Sequence, residues 1–162
     1  MTQSTNNQSS NNLPTFVLIT PARNEAAFIE QTIRSVVGQT VLPLKWVIVS
    51  DGSTDGTDDI VKKYAAEHSW IELLRMPERK ERHFAGKVHA FNAGYARVKD
   101  LKYDIIGSLD GDISFDPPYL DFCWKNSSKT PNWASQGRLA ERERFSTTII
   151  RGTSQQRSRH KH

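Results

Sequence analysis

Apolar positions along the chain fall into two alternating rhythms. Phe16-Val17-Leu18-Ile19-Thr20 is a short, nearly continuous apolar run ended by Pro21, the pattern of a strand covered on both faces. From Ala26 to Val37 the spacing changes: Phe28, Ile29, Ile33, Val36 and Val37 fall on one helical face. Asn24 stands where an N-cap belongs and Gly38 where a helix stops. Trp46-Val47-Ile48-Val49 is a second strand. Asp55 is placed to cap a helix from Thr57 to His68, with Asp58 and Asp59 in the first turn, where the helix dipole favours them. Ile71 to Leu74, Gly86 to Val98 and Tyr103 to Leu109 then read as strand, helix and strand.

Strands alternating with helices, most of them continuous apolar runs, predict an α/β fold: a mostly parallel, Rossmann-like sheet with helices on both faces. In such sheets ligands collect beyond the carboxyl ends of the strands, near a switch in strand order. Three polar loops follow strand ends here: Pro21 to Glu25, the turn beginning at Asp51 and the turn at Asp110. The pattern predicts that they converge on one crevice.

The rhythm fades after about Phe122. Cys123 to Thr130 is polar, and the stretch from Gly137 onward is rich in Arg, Ser, Thr and Gln. The chain thus divides into a polar lead (1–13), expected to be disordered, an α/β unit (14–122) and a basic tail (123–162). The net charge of +4 belongs to that tail. Residues 1–122 carry 13 Lys and Arg against 16 Asp and Glu; residues 123–162 carry 9 against 2. Recognition of nucleic acid requires an ordered basic face, which the tail does not suggest, so none is expected. With 162 residues there is room for one modest domain, and a single cysteine, Cys123, excludes an intrachain disulfide. No apolar run approaches the roughly 18–20 residues that span a bilayer. The lead lacks the basic and apolar regions of a secretory signal. The expected location is the cytoplasm, at most peripheral to a membrane.

Chemistry is concentrated in the loops. Asp110-Gly111-Asp112 puts two carboxylates one residue apart at the exit of an apolar strand, hard oxygen ligands suited to Mg²⁺ or Mn²⁺. Alone this is a weak signal. A second acidic turn, Ser50-Asp51-Gly52-Ser53-Thr54-Asp55-Gly56-Thr57, follows an earlier strand in the same way, and Gly52 and Gly56 suit a tight turn with positive φ. Lys87 opens the third helix, where a cation opposes the dipole and so has little structural reason to be.

Thr20-Pro21-Ala22-Arg23-Asn24-Glu25, the Ser50–Thr57 turn, Gly86-Lys87-Val88-His89-Ala90-Phe91-Asn92-Ala93-Gly94 and Asp110-Gly111-Asp112 occur in an order and spacing that resemble family 2 glycosyltransferases of the GT-A fold, over about Pro14 to Phe122. The resemblance implies transfer of a sugar, with inversion, from a nucleoside-diphosphate sugar (a UDP-sugar) to a sugar, lipid or protein acceptor. It places Thr20, Pro21 and Glu25 against base and ribose, and Asp51 on the imide of a uracil-type base. Ser50 stands where the family often has a second acid. It places Lys87 near the sugar diphosphate, with Asn92 continuing that signature, and it implies Asp110 toward the sugar or ribose and Asp112 on the metal. Asp55 fits either the site or a helix cap, and Glu25 either the site or a favoured first-turn acid.

The acceptor side is missing from this text. Inverting transfer needs a general base, and the only acids beyond Asp121 are Glu141 and Glu143, in a charge run without family context. The Gln/Arg-x-x-Arg-Trp motif of processive members is also absent. Back-translated and read in other frames, parts of the tail can encode an amphipathic helix and a strand start, as the family has after its D-x-D. Residues beyond about Phe122 therefore read as truncated or out-of-frame text. The expectation is sugar-nucleotide binding with impaired transfer. The alternative is a non-catalytic nucleotide- or partner-binding module with a basic tail. A nucleotidyltransferase ranks lower, because the Pro21–Glu25 loop lacks glycine.

Overall fold

A computed structural model describes residues 13–78, 85–127 and 149–151. In chain order the elements are β1 (Phe16–Ala22), α1 (Ile29–Val37), β2 (Lys45–Asp51), α2 (Thr57–Glu67), β3 (Ile71–Met76), α3 (Ala85–Val98), β4 (Ile105–Ser108), α4 (Tyr119–Ser127) and β5 (Ile149–Arg151). They build one sheet in the order β3-β2-β1-β4-β5. The first four strands are mutually parallel, and β5 runs antiparallel to β4. Strand order reverses at β1, which has β2 on one side and β4 on the other. Loops leaving β1 and β4 therefore diverge and open a crevice between them.

Alternation along each strand divides the core in two. Phe16, Leu18, Trp46 and Ile48 face α1 and α2 with Ile29, Ile33, Val36, Val61 and Tyr64. Val17, Ile19, Val47 and Val49 face the opposite side and pack with Ala90 and Val98 of α3. The approach of α3 is close at Gly94. A Cβ there would stand 2.7 Å from Ile19 Cγ2 and 3.0 Å from Val49 Cγ2.

Several boundaries differ from the sequence reading, each for a local reason. Pro21 does not end β1, which continues to Ala22. The Ile19 carbonyl accepts from the Leu109 N–H, 2.9 Å, so alternate residues from Ile19 aim their backbone at β4. Because β4 stops at Ser108, the nitrogen of Pro21 faces no strand that needs a donor. Helix α1 begins at Ile29 rather than Ala26, and Asn24 is not its cap. Asn24 instead adopts φ 56°, a left-handed conformation that asparagine tolerates. Helix α4 crosses Phe122 and ends at Ser127, with Cys123 packed on the core and its thiol pushed up by burial against an opposing bond to Tyr119. Most of the basic tail lies outside the described residues.

Candidate functional site

The loop after β1 and the turn after β2 are stapled together. Asn24 N–H donates to Ser53 Oγ at 3.1 Å, and Thr54 N–H donates to Asn24 Oδ1 at 2.9 Å. Glu25 N–H donates to Thr57 Oγ1 at 2.9 Å, and Ala26 N–H to Asp55 Oδ2 at 2.9 Å. The other oxygen of Asp55 accepts from the Thr57 hydroxyl at 2.5 Å and the Thr57 N–H at 3.1 Å. Burial would raise the Asp55 carboxyl pKa, but the Thr57 hydroxyl and the Ala26 and Thr57 N–H groups outweigh it and hold it below the usual range. Gly52 turns at φ 70° with its α-carbon against Glu78: a Cβ would fall 2.7 Å from Glu78 Cα, so only glycine fits. Arg75 braces the same turn, donating to the Ser53 carbonyl at 3.2 Å and pairing with Asp58.

The Asp110 turn is fixed from the α1 side. Thr32 Oγ1 donates to the Gly111 carbonyl at 2.8 Å. A Cβ on Gly111 would come 3.3 Å from both Glu25 Cγ and Ile29 Cδ1, which records how closely the first loop and this turn are packed. Across the crevice, Lys87 Nζ lies 2.5 Å from Asp110 Oδ1.

Together these loops enclose a cleft of about 630 Å³, lined by Pro21, Ala22, Arg23 and Glu25 from the first loop, Asp51 from the second, Gly86, Lys87 and Ala90 from α3, and the whole Asp110-Gly111-Asp112 turn. The predicted convergence is thus realised for Pro21, Glu25, Asp51, Lys87, Asp110 and Asp112. It is not realised for three others. Thr20 is fully buried on the α1 side, its hydroxyl accepting from Trp46 Nε1 at 2.9 Å, and it is not among the residues that line the cleft. Asp55 is committed to the loop staple. Asn92 is exposed on α3, outside the cleft lining.

Ala22, Arg23, Gly86 and Ala90 also line the cleft, although the sequence motifs that contain them assigned them no role. Arg23 Nη1 lies 3.8 Å from Asp51 Oδ2, a charge contact too long for a hydrogen bond. Gly86 lets the start of α3 approach Asp51, since a Cβ would stand 3.1 Å from its Oδ2. A basic residue within the Pro21–Glu25 loop was the available signal for Arg23. Gly86 opens a motif in the sequence, but its closeness to Asp51, thirty-five residues earlier, is decided by the fold.

Within the cleft the nearly buried Asp51 carboxylate sits beside Arg23, and Lys87, Asp110 and Asp112 add mixed charge. Among the described residues no group of three or more His, Cys, Asp and Glu side chains forms a metal cluster. Asp110 and Asp112 alone fit a hard divalent cation that draws its remaining oxygens from a ligand and water.

An open parallel sheet with a charged cleft at its switch point is the GT-A architecture, and solved GT-A glycosyltransferases superimpose on it. A mannosyltransferase from Pyrobaculum calidifontis, solved with GDP-Man and Mn²⁺, matches with a TM-score of 0.53 and 26% identity over 65% of this chain and 29% of its own. TarS of S. aureus, solved as residues 1–349 with UDP-GlcNAc, matches with a TM-score of 0.55 and 20% identity over 71% of this chain and 31% of that one, a likeness of fold. The chain belongs to glycosyl transferase family 2, whose model matches residues 17–159 and so runs past Phe122. The hyaluronan synthase of Pasteurella multocida is 29% identical over 119 residues, 74% of this chain. This chain spans only 11% of that protein's length. No described helix is long and apolar enough to cross a membrane.

Proposed function

We propose that the cleft binds a nucleoside-diphosphate sugar, a UDP-sugar, as the donor of an inverting glycosyl transfer to a glycan-type acceptor. The observation that carries this reading is the delivery of Asp51, Asp110 and Asp112 from two strand ends, and Lys87 from α3, into one cleft. Asp51, an acceptor-only group when ionised, suits the N–H of a uracil-type imide. Lys87, paired with Asp110 in the cleft, is placed to reach a diphosphate oxygen as well, its charge offsetting the negative charge that the donor brings beside the carboxylate. Asp112, with Asp110 beside it, would hold Mg²⁺ or Mn²⁺, which supplies offsetting charge for the leaving nucleoside diphosphate. Pro21 and Glu25 wall the cleft on the β1 side. No general base is assigned, and donor binding is the activity proposed for this chain.

Isothermal titration of the 162-residue chain with UDP and with GDP, each with and without MnCl₂, tests the reading. The expected result is binding of UDP, tightened by Mn²⁺ and weakened by Asp51→Asn. Absence of binding by either nucleotide from a folded sample would refute it.

A further inference from the structure

Asp112 is exposed, and among the described residues no hydrogen bond holds its side chain. Its place is therefore set by its backbone, which the α1 side grips both before and after it. Before it, Thr32 Oγ1 donates to the Gly111 carbonyl. After it, Gln39, just past the end of α1, reaches the start of α4. Gln39 Nε2 donates to the Ser35 carbonyl at 2.9 Å and to the Asp116 carbonyl at 3.1 Å, and its Oε1 accepts from the Leu120 N–H at 2.9 Å. That N–H belongs to the first turn of α4, where no carbonyl of the helix is available to it, so Gln39 caps α4 from another element. Between the two grips Ile113 packs on the core, and the Phe115 ring stacks on Tyr119 with centroids 4.8 Å apart.

Gln39 is only 6% exposed, where glutamine is uncommon. Burying an amide is unfavourable unless its groups are bonded, and here the amide makes three bonds. Gln39 does not line the cleft, so contact with a ligand there does not account for it. An apolar side chain of the same size would fill the volume; what the amide adds is a fixed distance from α1 to the Asp116 carbonyl and the Leu120 N–H. We infer that Gln39 is a positioning residue for the Asp110-Gly111-Asp112 turn. Its amide anchors the far end of the segment that carries Asp112, as Thr32 anchors the near end. Held at both ends, the Asp112 carboxylate is presented ready for the cation; released at one, it would spread over positions that only partly meet it. The inference rests on the donor and metal reading given above.

Gln39→Met keeps the length of the side chain and removes the amide. Gln39→Glu keeps an acceptor for the Leu120 N–H but turns an oxygen toward the Ser35 and Asp116 carbonyls. Val61→Ala opens the core that Leu120 joins, but from α2, and reports what lost stability alone does. Each variant and wild type are titrated with UDP in MnCl₂ and in EDTA, at a temperature where circular dichroism shows the sample folded. Expected is an about tenfold loss of the Mn²⁺-dependent part of UDP affinity in Gln39→Met and about threefold in Gln39→Glu, with affinity in EDTA unchanged. Added to Asp112→Asn, Gln39→Met should cost no more than about twofold, because its effect runs through Asp112. Val61→Ala should melt lower and bind as wild type does. Wild-type Mn²⁺ dependence in a folded Gln39→Met, an equal fall in EDTA and MnCl₂, a full further loss on top of Asp112→Asn, or the same selective loss in Val61→Ala would overturn the positioning role while leaving the donor reading intact. Should Gln39→Met not fold, Gln39→Glu decides by the same criteria. UDP binding by wild type that Mn²⁺ does not tighten would overturn this inference and the metal assignment alone, and failure of wild type to bind UDP or GDP would overturn the donor reading with them.

Discussion

Replacing Thr20 by valine isolates a hydroxyl that looks functional in sequence but is structural in the fold. Thr20 and Trp46 are both 0% exposed, and the indole N–H donates to Thr20 Oγ1 at 2.9 Å. Valine preserves the shape and β-branching, so packing changes little. The indole N–H loses its acceptor, and with no solvent exposure at either residue water cannot take its place. An unsatisfied buried donor costs about 1–3 kcal/mol. With a urea m-value of about 2 kcal/mol/M, the unfolding midpoint should fall by about 0.5–1.5 M. In a Trp46→Phe background the donor is already gone, so the same substitution should cost much less, and the double-mutant cycle should return most of the effect as coupling between the two residues. UDP affinity of folded Thr20→Val, measured at low temperature, should match wild type. A tenfold weaker UDP affinity with an unchanged urea midpoint would refute the argument and put Thr20 in the cleft.

Further outcomes follow from the same geometry. Gly94→Ala gains about 1 kcal/mol of helix propensity but drives a Cβ into Ile19 and Val49, stiff side chains at the sheet centre. Overpacking of about 1–3 kcal/mol should win, giving a lower melting temperature; a stabilised variant would contradict the close approach of α3. Asp55 has a folded-state pKa below its unfolded one. Its contribution is therefore complete above the unfolded value of about 3.9 and is lost as pH falls through the folded one. Urea midpoints from pH 6 to pH 3 should drop less steeply for Asp55→Asn than for wild type, and equal slopes would count against the staple. Asp112→Asn should reduce the Mn²⁺-dependent part of UDP affinity by no less than the about tenfold typical of a lost supporting residue at a metal site, while affinity in EDTA stays as in wild type.

Much of the scaffold was legible because its cause is local. A strand buried on both faces must be apolar throughout, and a helix against a sheet must repeat its apolar residues at helical spacing. Phe16 to Thr20, Trp46 to Val49 and the Ile29–Val37 face carried those signals without ambiguity. The candidate site was legible as a set of loops for the same reason, since polar turns at strand ends stand out between apolar runs. Asn24 was misplaced because a side chain suited to capping its own helix is equally suited to another loop's N–H, and proximity in space decides; Asp55 serves both, accepting from Thr57 N–H at the start of α2 and from Ala26 N–H of the first loop.

The sequence by itself determined the strand–helix alternation, the parallel sheet with both faces covered, the family to which the chain belongs, and the three acidic or polar loops that had to meet. Those follow from periodicity and from short motifs, which depend on neighbours in the chain. Tertiary structure decided which motif residues face the cleft. It turned Thr20 inward onto Trp46, spent Asp55 on stapling two loops, left Asn92 on the outer side of α3, and brought Arg23 beside Asp51. Side-chain direction at these positions is set by packing between segments about twenty to ninety residues apart, and no local pattern encodes that.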